Sequence, residues 1–70
     1  SSITEEEAKS LALAQVPGAT AENIVKFKID RDDGRTEYEG TIIYDGMEYE
    51  FEIDAYSGAF RSWESERYGW

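Results

Sequence analysis

The sequence has no cysteine and no histidine, and a single proline among its 70 residues. Without cysteine, neither a disulfide nor a thiolate metal site can stabilise the fold. Without histidine, the most common general base and the most common zinc ligand are both missing. No hydrophobic run approaches the length of a membrane span, and the first residues do not show a signal-peptide pattern. The sequence therefore favours none of these sites or segments.

Basic residues are also few. Seven Lys and Arg stand against sixteen Asp and Glu, which gives a net charge of −9. This balance argues against nucleic acid and anionic membranes as partners. Five Tyr, three Phe and two Trp indicate a folded core rather than disorder. We expect one small domain over residues 1–64, with a compact core, followed by a C-terminal tail over residues 65–70.

One helix is predicted near the N-terminus, in the segment ITEEEAKSLALAQVPG. Thr4 and Glu7 have the spacing of a capping box, and Pro17 and Gly18 end the helix. Apolar side chains at helical spacing predict the buried stripe, which consists of Ala8, Leu11, Ala12 and Val16. Leu13 lies off this stripe.

The rest of the chain alternates apolar and polar residues, which is typical of strands with one buried face. The predicted strands cover residues 25–29, 38–44 and 47–53, with a shorter fourth strand over 60–64. Asp33-Gly34 and Asp45-Gly46 supply tight type I′ hairpin turns. We therefore expect an α+β fold, in which one N-terminal helix packs on one face of a three- to four-stranded antiparallel β-meander.

The two turns also set the strand register. Counting from them pairs Gly40 with Phe51 in the second hairpin and with Phe27 in the first. The same count places Val25 opposite Ile42. A glycine between two phenylalanines indicates that a ring or the helix approaches the backbone closely at Gly40.

The sheet face opposite the helix, here called the open face, is predicted to be acidic. It carries Glu37, Glu39, Glu48, Glu50 and Glu52. By the same register, Ile24 and Ile43 lie opposite each other on the open face, and Trp63 points outward beside Glu52. Exposed apolar residues among charges are typical of a docking surface.

We expect a protein-binding site on the open face, formed by Ile24, Ile43, Glu48, Glu50, Glu52 and Trp63. Two blander interpretations stay open. The acids can simply keep the sheet soluble and prevent aggregation. Alternatively, the tail can fold back over the apolar residues, with Tyr68 or Trp70 as the cover.

Catalytic and metal sites are not expected. Asp30, Asp32 and Asp33 offer oxygen ligands for calcium, but Gly34 comes one position too early for an EF-hand loop. A solvated hairpin tip is the preferred interpretation. Because the sequence shows no nucleophile–base pair, metal cluster or phosphate loop, we expect no enzymatic activity and no cofactor.

Several segments together resemble the PepSY domain. They are the helix segment quoted above, the hairpin segment DRDDGRTEYEG and, most specifically, the I-D-A-x-S-G pattern of residues 53–58. The resemblance covers residues 3–64. It implies one helix packed on a three- or four-stranded antiparallel sheet. It also implies a non-catalytic module of the kind found in propeptides of thermolysin-type metallopeptidases and in cell-envelope proteins.

From this resemblance we expect a protein-binding module that inhibits or restrains a peptidase through its open face. The expected partner is a peptidase or a neighbouring domain of the same chain, and the expected location is secreted or in the cell envelope. The alternative is a structural spacer or self-association domain of a tandem-repeat envelope protein.

Overall fold

The computed structural model describes residues 2–69 as a helix followed by a sheet. The elements are α1 (Glu5–Leu13), a short 3₁₀ helix (Ala21–Asn23), β1 (Ile24–Asp32), β2 (Arg35–Tyr44), β3 (Met47–Asp54) and β4 (Phe60–Arg67). The four strands form one antiparallel sheet in the order β1-β2-β3-β4. The predicted α+β meander is confirmed. Strand β4 is longer than predicted and includes residues 65–67; the domain division after residue 64 stays a prediction.

Helix α1 begins at the predicted capping box. The Thr4 backbone N–H donates to Glu7 Oε1 at 2.8 Å, and the Glu7 N–H donates to Thr4 Oγ1 at 3.0 Å. Ala8 and Ala12 are fully buried, so the helix backbone lies close to the sheet. The predicted stripe is wrong at Leu11, which is exposed. Leu13, which lies off the stripe, packs against the core, so that side of the helix is covered as well.

The chain leaves regular α-helical geometry directly after Leu13. α1 ends at Leu13, and the chain then tightens through a bond from the Val16 N–H to the Leu13 carbonyl at 3.0 Å. Such i→i−3 bonds break the ideal 3.6-residue period in the last turn. Val16 still reaches the core, where it is buried as predicted.

The core lies between α1 and the sheet face that we call the covered face. Its buried strand residues are Tyr38, Ile42, Phe51 and Ile53, joined by Ala55 beyond β3. The Tyr38 hydroxyl donates to the Ile3 carbonyl at 2.8 Å, which satisfies the one polar group of this set of side chains. The Phe27 ring stacks on Tyr38 with centroids 5.6 Å apart. The predicted apolar side of the central hairpin is therefore confirmed as core.

Both Asp-Gly turns have the geometry predicted from their sequence. Asp33 and Gly34 have φ values of 52° and 76°, and Asp45 and Gly46 have values of 51° and 80°. Positive φ at both central residues is what a type I′ turn requires. The register that these turns predict for β2 and β3 is confirmed along the whole hairpin.

A β-bulge at the start of β1 changes the face of two side chains. Ile24 pairs with Ile42, and the register then shifts so that Val25 is the extra residue. Ile24 packs against the core, whereas Val25 is 58% exposed. The Ile43 carbonyl accepts from Asn23 Nδ2 at 3.0 Å, just before the strand begins. The prediction that Ile24 faces Ile43 on the open face, with Val25 opposite Ile42, is wrong because the bulge reverses both side chains.

A second β-bulge lies at the start of β4. Ile53 pairs with Phe60 and Glu52 pairs with Ser62, which leaves Arg61 as the extra residue. Every later residue of β4 therefore lies on the face opposite to the one that an unbulged strand would give it.

This second bulge places Trp63 on the covered face. Trp63 pairs with Phe51, and the two rings stack with centroids 6.0 Å apart. Its centroid also lies 5.7 Å from Tyr49 and 5.4 Å from Phe60. The prediction that Trp63 points outward beside Glu52 is wrong, because the indole extends the core to the edge of the sheet.

Asp54 organises the turn between β3 and β4. Its Oδ1 accepts from the backbone N–H groups of Tyr56 at 2.8 Å and Ser57 at 2.9 Å, and its Oδ2 accepts from Arg61 at 2.7 Å. Gly58 takes the left-handed conformation, with φ 79°. The hydrogen bonds from Ser57 and Tyr56, followed by that from Arg61, lower the pKa of Asp54 to about 2.

Gly40 is the point of closest approach between the sheet backbone and a ring. A Cβ atom added there would lie 2.5 Å from Phe51 Cζ and 2.8 Å from the Lys26 carbonyl oxygen. The predicted close approach of a ring is confirmed. A glycine is required because one of the two obstructing atoms belongs to the backbone.

Replacing Gly40 with alanine should therefore destabilise the domain. Overpacking of this kind costs about 1–3 kcal/mol of unfolding free energy. Urea unfolding of Gly40→Ala, Phe51→Leu and the double variant measures the effect and its coupling. Leucine lacks the ring atoms that obstruct the added Cβ, so it removes the Phe51 part of the clash. The double variant should therefore lose less than the sum of the single losses. Additive losses, or an unchanged Gly40→Ala midpoint, would contradict the packing described.

The charge of Asp54 should make a pH-dependent contribution to stability. Because the folded-state pKa lies below the ordinary value of 3.8, the contribution is present above about pH 4 and is lost as pH falls through about 2. Asp54→Asn keeps the acceptor oxygen for Tyr56 and Ser57 and removes the charge. Urea midpoints from pH 7 to pH 2 should show the variant less stable at neutral pH and converging with the parent in acid. A difference that is constant with pH would refute the assignment.

Candidate functional site: the open sheet face

The open face brings carboxylates together in directly opposed pairs. The strand register sets Glu39 against Glu52, Glu50 against Glu64, and Glu48 against Glu66. Like charges directly opposite each other on neighbouring strands destabilise a sheet. The folded sheet therefore holds these like charges in positions that lower its stability.

Basic side chains relieve this repulsion mainly at one end of the face. Arg61 Nε lies 3.1 Å and Arg35 lies 3.3 Å from the Glu37 carboxylate. Further along, Lys28 Nζ lies 3.7 Å from Glu39. Within residues 2–69, no ion pair includes the carboxylates of the other end, namely Glu48, Glu50, Glu64 and Glu66.

The pKa values of two of these carboxylates are shifted upward. The pKa of Glu48 is raised, first by desolvation and then by the charges of Glu50 and Glu66. The pKa of Glu39 is also raised, chiefly by desolvation, although Lys28 acts in the opposite direction. Both directions mean that the charged form is less favourable in the folded sheet than in water.

The structure brings together four of the six predicted site residues. Glu48, Glu50 and Glu52 lie on the open face, and Ile43 lies beside them because it pairs with Glu48. Ile24 and Trp63 contribute to the covered face instead, for the reasons given by the two bulges. The open face is consequently mainly charged. Its apolar residues are Ile43 and the exposed Val25, and it lacks the Ile24 and Trp63 side chains that the sequence suggested.

Glu64 and Glu66 belong to the acidic face, but sequence reasoning did not place them there. Apolar alternation stops after Trp63, so the pattern indicated a strand end near residue 64. The length of β3 could have indicated a longer β4, because a strand of eight residues can pair with a neighbouring strand of the same length.

In the part that the structure describes, residues 65–69, the tail does not fold back over the open face. Strand β4 includes Arg67, and the Tyr68 N–H donates to the Gly46 carbonyl at 2.8 Å. This bond continues the β3–β4 ladder, so the tail extends in the plane of the sheet. Tyr68 is 52% exposed. Trp70, the other expected cover, lies outside the described residues.

The loop considered for calcium is a hairpin tip, since Asp33 occupies the type I′ turn. Behind it, carboxylate oxygens of Asp30, Glu37 and Glu39 lie within 4.8 Å of one another. Such exposed acidic groups are common without an ion. The guanidinium groups already bound to the Glu37 carboxylate fill part of this space, so we do not interpret the cluster as a metal site.

Removing one charge of the crowded end should stabilise the domain. Because the folded-state pKa of Glu48 is raised, its charged form costs stability above that pKa, and the cost disappears as pH falls through it. Glu48→Gln should raise the urea midpoint at pH 7, and the gain should vanish in acid. Glu22→Gln, an exposed position outside the sheet, is the matched control. A neutral-pH loss in Glu48→Gln would contradict the described repulsion.

Comparison with protein-family models places this geometry in context. Residues 2–64 match the PepSY model, described as the peptidase propeptide and YPEB domain. No similar curated protein and no similar solved structure was found. Within the described residues, α1 is not long and apolar enough to cross a membrane. The matched segment includes the capped helix, both Asp-Gly hairpins and the Asp54 turn. The chain therefore belongs to the PepSY family.

Proposed function

We propose that this domain is a non-catalytic protein-binding module of the peptidase-propeptide type. Its open face binds a basic surface on a peptidase, or on a neighbouring domain of its own chain, and thereby restrains that partner. The family supports the propeptide-like role. On the same grounds we propose a secreted or cell-envelope location.

The observation that carries this proposal is the set of opposed carboxylate pairs. The carboxylates of the pairs Glu50–Glu64 and Glu48–Glu66 repel each other across strands, and none of them belongs to an ion pair within residues 2–69. The charge of Lys26 only partly offsets the repulsion at Glu48. A partner that supplied lysine or arginine side chains would relieve this repulsion on binding. Surfaces that cost stability when free and gain it when bound are typical of functional sites.

The binding surface that the geometry supports differs from the sequence-based site. It keeps Ile43, Glu48, Glu50 and Glu52, and adds Glu64 and Glu66. Ile24 and Trp63 are left out, because their side chains pack in the interior of the covered face.

The alternative role, a spacer or self-association domain, is less favoured for this surface. Two copies meeting by their open faces would bring together like-charged surfaces in a chain whose net charge is already −9. Such juxtaposition costs affinity. Self-association would require a different surface.

Binding to thermolysin-type metallopeptidases of the source organism tests the proposal. The domain is titrated with each mature enzyme by calorimetry, at low salt and at about one molar salt, where the Debye length falls to about 3 Å. We expect binding that weakens with salt. Neutralising Glu48→Gln, Glu50→Gln and Glu52→Gln together should weaken it about threefold to a hundredfold, since three exposed ion pairs of about 0.2–1 kcal/mol each are lost.

The control carries the same change in net charge at positions off the open face, namely Glu5→Gln, Glu22→Gln and Asp45→Asn. Asp45→Asn keeps a residue type that suits a type I′ turn. If both triple variants bind equally well, or if the interaction does not depend on salt, the open face is not the binding surface.

A further inference from the structure

The open face contains a shallow depression above Thr41, with a volume of about 360 Å³. Thr41 is a short side chain in a row of longer ones, between Lys26 of β1 and Glu50 of β3. The centre of the face is consequently recessed. Four carboxylates line the recess, those of Glu39, Glu50, Glu52 and Glu64.

The Thr41 side chain supplies an unused hydrogen-bonding group at the floor. Only 6% of the residue is exposed. None of the side-chain hydrogen bonds within residues 2–69 involves its hydroxyl. Every fully enclosed polar side-chain atom in this part of the chain does have a partner. The hydroxyl must therefore be reachable from the depression, where it is available to a ligand.

The charge of the recess points to a cation. Lys28 lies 3.7 Å from Glu39, whereas the ion pairs described for residues 2–69 do not include Glu50, Glu52 or Glu64. Lys26 lies at the β1 rim. A hydroxyl acceptor among several carboxylates matches the guanidinium group, which is always charged and presents five N–H donors in one plane.

We propose that this depression is a subsite for one arginine side chain of a protein partner. The inference rests on the proposed function and names the residue type by which the open face recognises its partner. The guanidinium donates to the carboxylates of Glu50 and Glu52 and to the Thr41 hydroxyl. Lys26 competes for the same carboxylates from the rim.

The test uses a short glycine–serine peptide with one central arginine. Its control is the same peptide with citrulline, which keeps the shape of the side chain and removes the charge. The ¹⁵N-labelled domain is titrated with each peptide, and amide shifts are followed by NMR. The arginine peptide should shift the amides of Thr41, Glu50 and Glu52 with saturable binding, and the citrulline peptide should not.

Variants separate the subsite from general attraction to an acidic protein. Thr41→Val keeps the branched shape and should weaken arginine-peptide binding about three- to tenfold, as expected for one lost hydrogen bond. Lys26→Met should strengthen it about two- to fivefold by removing the competing charge. Asp45→Asn, with one charge fewer at the hairpin tip, should leave binding nearly unchanged. The amide spectrum of each variant verifies its fold.

Equal shifts from both peptides, or an arginine affinity insensitive to Thr41→Val, would overturn the proposal. So would shifts of these amides by calcium chloride but not by the arginine peptide. If a peptidase binds the open face and Thr41→Val does not weaken it, the proposed function survives and the arginine subsite fails. If the arginine peptide binds as expected but no peptidase does, the subsite survives and the peptidase role fails.

Discussion

The register of the central hairpin is the constraint on which the rest of this domain depends. Strands β2 and β3 pair without interruption across a type I′ turn at Asp45-Gly46. A shift of one residue would exchange the two faces of both strands. It would expose Phe51 and Ile53 and bury the glutamates that alternate with them. Burial of those two apolar side chains under α1, together with the close approach of the Phe51 ring to Gly40, fixes the register and thereby creates the acidic open face.

The sequence predicts this centre well and the edges poorly. Turn chemistry and two-residue periodicity are local, so the helix cap, both hairpin turns and the β2–β3 pairing could be predicted. The bulges depend on tertiary contacts, and the alternation of apolar and polar residues along the sequence gives no information about such contacts. The Asn23 amide bonds to the Ile43 carbonyl at the start of β1, and the Arg61 side chain bonds to Asp54 and Glu37 at the start of β4. Each bulge moves one predicted site residue, Ile24 or Trp63, into the core.

The most specific family motif and the candidate site come from different parts of the chain, although the family match covers most of both. The most specific motif, residues 53–58, builds a turn: the Asp54 carboxylate accepts from two backbone N–H groups, and Gly58 supplies the left-handed conformation. Those residues build the connection between β3 and β4, whereas all of the opposed glutamates of β2, β3 and β4 lie outside them. Membership of the PepSY family therefore explains how the sheet forms, and the charge of the open face is what recognition of a particular partner would depend on.

The central claim is that the two bulges determine which edge side chains lie on the open face. They turn Ile24 and Trp63 inward and Val25 outward, so that β4 adds only Ser62, Glu64 and Glu66 to the open face. Cross-strand nuclear Overhauser effects in the labelled domain test it most directly, because backbone protons of directly opposed residues lie close together in an antiparallel sheet. The account predicts backbone contacts between Ile24 and Ile42 and between Phe51 and Trp63. Contacts of Ile24 with Ile43, or of Trp63 with Glu50 or Glu52, would instead place those side chains on the open face and would contradict it.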